Sequence, residues 1–205
     1  MHDLLDVAGE PLAPESIRML EYLDSRAAEL SIAQIRERIR AAAHELENTV
    51  AAVDPADARR RPMEGKWNVA EVVDHISQTQ IRGGEELRHL IAGRRPPLPP
   101  VYEGLRSGAA QWAPWEMLIE ELHAANEAML AVLESAKEEV PSPPTVKTLV
   151  VTLRAATDGN TSAQLYFAEL GFKQYALLQR LHLLDHRTQI KKLRESLTGI
   201  FRARQ

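Results

Sequence analysis

The sequence contains no cysteine. That single absence removes disulfides, iron–sulfur clusters, thiolate metal sites and a cysteine nucleophile. Any metal must then be held by His, Asp or Glu, and chemistry on a thiol requires the thiol to arrive as a cosubstrate. An excess of basic charge is also missing. The 25 Lys and Arg stand against 29 Asp and Glu, for a net charge of -4. This argues against a nucleic-acid binder, whose affinity rests on basic charge. No window approaches the ~20 uninterrupted apolar residues that a membrane-spanning helix needs. The start, Met1-His2-Asp3-Leu4-Leu5-Asp6, has neither the basic region nor the apolar run of a secretory signal. A cytoplasmic protein with no membrane partner is the expectation. Strand-like alternation is scarce too, and only Val146 to Leu153 has it.

What the chain does have is apolar residues, 44% of its 205, enough for a sizeable core without staples. Prolines punctuate it at 11–14, 55–62, 96–100, 114 and 141–144, and helical spacing fills the intervals. A leading helix is predicted from about Pro14 to Glu29, striped by Ile17, Leu20, Leu23 and Ala27. Four longer helices follow. The first starts with the capping box Ser31/Gln34 and carries Ile32, Ile35, Ile39, Ala42, Leu46, Val50 and Val53 on one face, ending at Asp54-Pro55. The second opens at Asn68, capped with Glu71, and stops at Gly93. The third runs from about Pro114 to Glu139. The fourth is predicted over Ser162 to Thr198, with Gly171 as a weak point. The long connection 93–113 suggests a crossover along a bundle, with Tyr102, Glu103 and Trp112 able to reach over a pocket. The fold expected is all-α: a short N-terminal helical extension (residues 1–30) followed by a four-helix bundle domain with a long crossover (31–205).

Seven histidines are present, and two form an informative pair. In Leu181-His182-Leu183-Leu184-Asp185-His186-Arg187-Thr188-Gln189-Ile190, the two imidazoles are four residues apart. On a helix they share a face and can reach one divalent cation. Two hydrogen-bonded surface histidines would have the same spacing, and a metal site would need a third ligand from another helix. His75 is the best candidate, two turns inside the second helix, although a lone histidine on an apolar face is more usually a satisfied core residue. His89 and His123 have no partner at ligand spacing.

The stretch Trp67-Asn68-Val69-Ala70-Glu71-Val72-Val73-Asp74-His75 resembles the second helix of the DinB/YfiT-like superfamily. The segment from His182 to Ile190 resembles its fourth-helix motif, two histidines followed by a basic residue and a Gln-hydrophobic pair. The resemblance extends from about Ile32 to Leu197 in helix order and length. It implies a four-helix bundle with a crossover, a homodimer, and a divalent metal held by His75, His182 and His186. Zinc and nickel are the ions expected. Relatives include mycothiol-dependent maleylpyruvate isomerases and bacillithiol S-transferases, which implies a transferase or isomerase using a small thiol. In the isomerase branch the position of His182 is a glutamate, so this chain leans toward a three-histidine branch. A non-catalytic metal-binding stress-response module is the alternative, and a bundle with three satisfied histidines is a third.

Other side chains belong to the same region. Glu71 and Gln189 could orient an imidazole, or cap a helix and face solvent. Tyr175 and Gln179 lie above His182 on one helix side and could line a pocket or pack the core. Asp74 and Asp185 neighbour the ligands in sequence but point elsewhere on their helices, where support of a ligand and a surface role are equally open. Arg59-Arg60-Arg61 and Arg94-Arg95 read as solvated loops that could meet an anionic cosubstrate. The second apolar edge of the first long helix (Leu30, Ala41, Val53) offers a surface for pairing with another copy.

Overall fold

The computed structural model describes residues 5–101, 104–138, 144–155 and 161–202. Six α-helices, one short 3-10 helix (Ala109–Gln111) and one β-hairpin are the regular elements of the described residues. Helix α1 spans Pro14–Glu29, α2 Ile32–Ala51, α3 Pro55–Ala58, α4 Val69–Ile91, α5 Trp115–Glu134 and α6 Phe172–Arg202. The hairpin strands are β1, Val146–Ala155, and β2, Thr161–Leu170. Tyr102 and Glu103, whose sequence position suggests reach over a pocket, lie outside the described residues.

Local chemistry explains where the helices begin. The Ser31 side chain accepts from Gln34 N–H while the Gln34 side chain accepts from Ser31 N–H. Asn68 and Glu71 do the same at the start of α4. Each box satisfies two amide donors that the helix cannot, worth about 1 kcal/mol. Pro14 occupies the first turn of α1, where its missing N–H costs nothing.

The long helices close a ring. α2 packs on α5 and α6, and α4 packs on α5 and α6, so α4 and α6 are neighbours and α2 lies diagonally across from α4. Leu46, Ile39 and Val50 of α2, Val72, Ile76 and Leu87 of α4, Leu122 and Met129 of α5, and Leu177, Leu183 and Ile190 of α6 are buried together. Each such side chain contributes about 1.5–3 kcal/mol on leaving water. Gly83 lets α4 approach both neighbours. A Cβ there would lie 2.9 Å from the Gln179 side chain of α6 and 2.9 Å from Met129 of α5. The crossover runs back along α4: Arg82 donates to the Pro99 carbonyl, and farther on Ser107 and Gly108 bond Asp74, two turns nearer the helix start.

Two expectations need correction. Residues 161–170 are not the first turns of the last helix but strand β2, paired antiparallel with β1 from Val146↔Leu170 to Ala155↔Thr161. The buried positions Gln164, Tyr166, Ala168 and Leu170 recur with period two, and β1 answers with Val146, Val150 and Thr152. Phe167 and Leu170 match a helical stripe by accident. Gly171 is therefore the junction between strand and helix, not a weak point inside a helix; its N–H donates to Gln174 Oε1 at 2.7 Å as α6 starts. The second correction concerns the edge proposed for pairing. Leu30 and Val53 are buried within the chain, which leaves only Ala41 exposed.

α1 lies against α6 and β1. Its Ser16 hydroxyl bonds Gln164 Oε1 and Thr152 inside the hairpin contact. Leu20 and Leu23 join the same core as the bundle.

Candidate metal centre

α4 and α6 are long neighbouring helices, so residues on their facing sides meet without help from loops. His75 enters from the second turn of α4. His182 and His186 enter from adjacent turns of α6. The structure brings the three together: one ring nitrogen from each lies within 4.8 Å of the others. His75 Nε2 is 3.1 Å from His182 Nε2, and His186 Nε2 is 2.9 Å from the same atom. All three histidines are partly exposed as residues, while His182 Nδ1 is buried.

The proton positions follow from the outer partners. His75 Nδ1 lies 2.9 Å from the Leu105 carbonyl. A carbonyl only accepts, so Nδ1 carries the proton and donates it. His186 Nδ1 likewise donates to Gln189 Oε1 at 2.7 Å. Both Nε2 atoms are then bare in the neutral rings. His182 can offer at most one N–H to two bare nitrogens, so one of the two contacts sets lone pair against lone pair. Its own Nδ1 is buried without a hydrogen-bond partner.

Protonation does not relieve this. Burial, and then the neighbouring rings, push His182 well below the ordinary imidazole value. Burial, then His75, push His186 down to about 4, against the opposing Gln189 bond. Burial lowers His75 as well, with the Leu105 bond opposing it. The result at neutral pH is three uncharged imidazoles with surplus acceptors facing one point. A cation answers that surplus. Nitrogens sharing one ion at ~2.0–2.1 Å lie about 3.0–3.4 Å apart, close to the observed spacing. The donor set fits a divalent metal.

The remaining candidates separate cleanly. Gln189 holds the His186 ring. Glu71 takes the capping role, and its carboxylate also pairs Arg61 at 2.7 Å and Arg106 at 3.6 Å. Tyr175 is buried, and its hydroxyl donates to Glu86 rather than reaching the histidines. Gln179 is buried against Gly83, with its Oε1 unpartnered. Arg59 is occupied by the carbonyls of Ala110 and Ala113, and Arg61 by Lys66 and Glu71. Trp115 is core, whereas Trp112 is among the most exposed apolar side chains. His123 faces Glu47 at 3.3 Å on the surface.

Three features were not found by residue spacing. Trp67 meets the His75 ring edge-on, with centroids 5.1 Å apart. The guanidinium of Arg106 sits over Trp67 at 4.7 Å. The Leu105 carbonyl is a backbone group, and no side-chain motif announces it.

A helical bundle with three histidines converging from adjacent helices is the class of protein defined here. The DinB superfamily model matches residues 38–190, and the chain belongs to that superfamily. No curated protein matches the chain in sequence. Among solved structures, the mycothiol-dependent maleylpyruvate isomerase superposes with a TM-score of 0.56 at 12% identity, over 79% of this chain. The match spans 61% of that isomerase's length. YfiT from Bacillus subtilis, described as a probable metal-dependent hydrolase with an unusual four-helix bundle topology, gives 0.53 at 12% identity, over 82% of this chain and 87% of its own. A protein described only as a four-helix bundle gives 0.52 at 15%, over 79% and 99%. At these identities the likeness is one of fold. Among the described residues no helix is long and apolar enough to cross a membrane.

Proposed function

We propose that His75, His182 and His186 hold one divalent cation, zinc or nickel, and that the site serves transfer or isomerisation with a small thiol as cosubstrate. The observation that carries the reading is the meeting of three uncharged rings whose outer N–H groups are committed elsewhere. Neutral imidazole is the ligand form, and an outer carbonyl or amide acceptor is its usual orienting partner. A divalent cation supplies Lewis-acid charge that lowers the pKa of a thiol or water delivered to its open side.

The chain's own residues bind and orient. His75 and His186 are locked by Leu105 and Gln189, and His182 lies between them. The chain has no cysteine, so the thiol must come from solution. The isomerase and hydrolase named among the fold neighbours are consistent with an added nucleophile, thiol in one case and water in the other. The three histidines are partly exposed as residues, which supports an open coordination position over the closed shell of a structural metal, and with it the catalytic reading over the non-catalytic module.

Elemental analysis of protein purified without a histidine tag should find one zinc or nickel ion per chain. Protein loaded with Co2+ should then change its visible spectrum when a small thiol is added. Metal-free protein that refuses zinc would end the proposal. A cobalt spectrum indifferent to thiols would leave a metal module without thiol chemistry.

A further inference from the structure

Asp74 precedes His75 in sequence, but one residue along a helix is about 100° around it, so its side chain cannot join the triad. It is fully buried. Its carboxylate accepts three hydrogen bonds, all from the crossover: Ser107 N–H at 3.1 Å, Ser107 hydroxyl at 2.6 Å and Gly108 N–H at 3.0 Å. The Ser107 oxygen in turn accepts from Ala109 N–H at 3.1 Å. Gly108 has φ +85°, a left-handed conformation that glycine adopts at little cost. Backbone and hydroxyl donors therefore form a socket around one carboxylate. Two residues before Ser107 stands Leu105, whose carbonyl receives the His75 Nδ1 proton.

The same segment is pressed onto the ring from a second direction. A Cβ at Gly104 would lie 2.8 Å from Trp67 Cη2, so only glycine lets the backbone come this close. Trp67 meets His75 edge-on. The imidazole is thus held between an indole and a stretch of crossover whose register is set by Asp74.

We propose that Asp74 is a positioning residue for His75. By clamping residues 107–108 it holds the Leu105 carbonyl against Nδ1, which fixes the Nδ1–H tautomer and leaves Nε2 bare toward His182 and His186. A neutral imidazole released from that carbonyl populates both tautomers, and the Nε2–H form presents a proton where an acceptor is needed. The consequence for metal affinity rests on reading the triad as a metal site. The consequence for the tautomer does not.

The test uses full-length chain with 15N-labelled imidazoles, as wild type, Asp74→Asn and Ser107→Ala. Two quantities are measured on each folded protein: the 15N shifts of the His75 ring without metal, and zinc affinity by competition with a chromophoric chelator. Wild type should show His75 protonated at Nδ1 alone. Asp74→Asn should show a tautomer mixture and bind zinc about 10–100-fold more weakly. Ser107→Ala should move both readouts in the same direction by less. If Asp74→Asn is less heat-stable yet keeps the pure tautomer and wild-type zinc affinity, Asp74 is merely structural and the proposal is overturned. If Asp74→Asn fails to fold, Ser107→Ala decides by the same readouts, and no change in either one overturns the clamp. Should wild type bind no zinc while Asp74→Asn still loses the single tautomer, the clamp stands and the metal reading falls.

Discussion

Two polar clusters lie along the seam between α4 and α6, about 13 Å apart by helical rise. At one end His75, His182 and His186 face one another. At the other, Arg82, Glu86 and Tyr175 do. The second cluster balances its groups. Arg82 Nε donates to Glu86 Oε1 at 2.6 Å, and the Tyr175 hydroxyl donates to the other carboxylate oxygen. Burial and the Glu86 charge hold the Tyr175 phenol well above its ordinary pKa, so it remains a donor. Charge meets charge and donors meet acceptors. The histidine cluster does not balance: it has more acceptors than protons and no counter-charge among its three rings. Buried polar groups left in that state cost free energy, so a cluster that keeps them has a use for them. The balanced pair stabilises the bundle; the unbalanced triad has the donor set that could hold a cation.

That contrast breaks most visibly at His186. A His186→Ala variant should lose zinc affinity by orders of magnitude and keep its helix content by circular dichroism, since the apolar seams remain. Full metal occupancy in that variant would remove the triad from the metal. Glu86→Ala should do the opposite. Deleting one member of a buried ion pair strands its partners and should lower unfolding free energy by about 3 kcal/mol, read from the urea midpoint. Zinc affinity should stay within a factor of about two if the clusters are as independent as sites this far apart usually are.

Gln189→Ala sharpens the view of the triad itself. Loss of the acceptor on His186 Nδ1 should weaken zinc binding by about tenfold, with little effect on the urea midpoint. Unchanged affinity would show that the ring is oriented by packing alone. The gentlest probe is pH on metal-free protein. The folded-state values of all three histidines lie below the ordinary imidazole value of 6.5, with His186 at about 4. The unfolded chain therefore takes up more protons across that interval. Stability should be full above pH 6.5 and decline as pH falls toward 4, at no more than about 1.4 kcal/mol per pH unit for each titrating group. His186→Ala should flatten the decline. A slope unaffected by that substitution would place the acid sensitivity elsewhere.

The beginnings of the helices were legible from residues alone because capping is local. Ser31/Gln34 and Asn68/Glu71 satisfy amides within one turn, whatever the rest of the chain does. Pro14 at the head of α1 is of the same kind. So is the His182/His186 pair, whose shared face follows from a spacing of four. His75 was different. Its place on the second long helix was readable, but its meeting with the pair required α4 and α6 to be neighbours, and only the resemblance to a family implied that. The helical reading of β2 fails because Phe167 and Leu170, three apart, suit a helical stripe, whereas the face the strand buries is Gln164, Tyr166, Ala168 and Leu170. What settles it is β1, whose pairing supplies hydrogen bonds that no periodicity encodes.

What the sequence by itself determined is therefore the set of elements with local signals, the apolar faces that make them pack, and the chemical limit that any metal ligand must be nitrogen or oxygen. Tertiary structure alone decided which groups touch across long separations. The Leu105 carbonyl reaches His75 from 30 residues away, Asp74 is buried and takes its hydrogen bonds from the crossover, and the capping Glu71 also draws Arg61 and Arg106. A backbone carbonyl has no residue type and a carboxylate has many partners open to it. Their roles exist only once the crossover has been laid along α4.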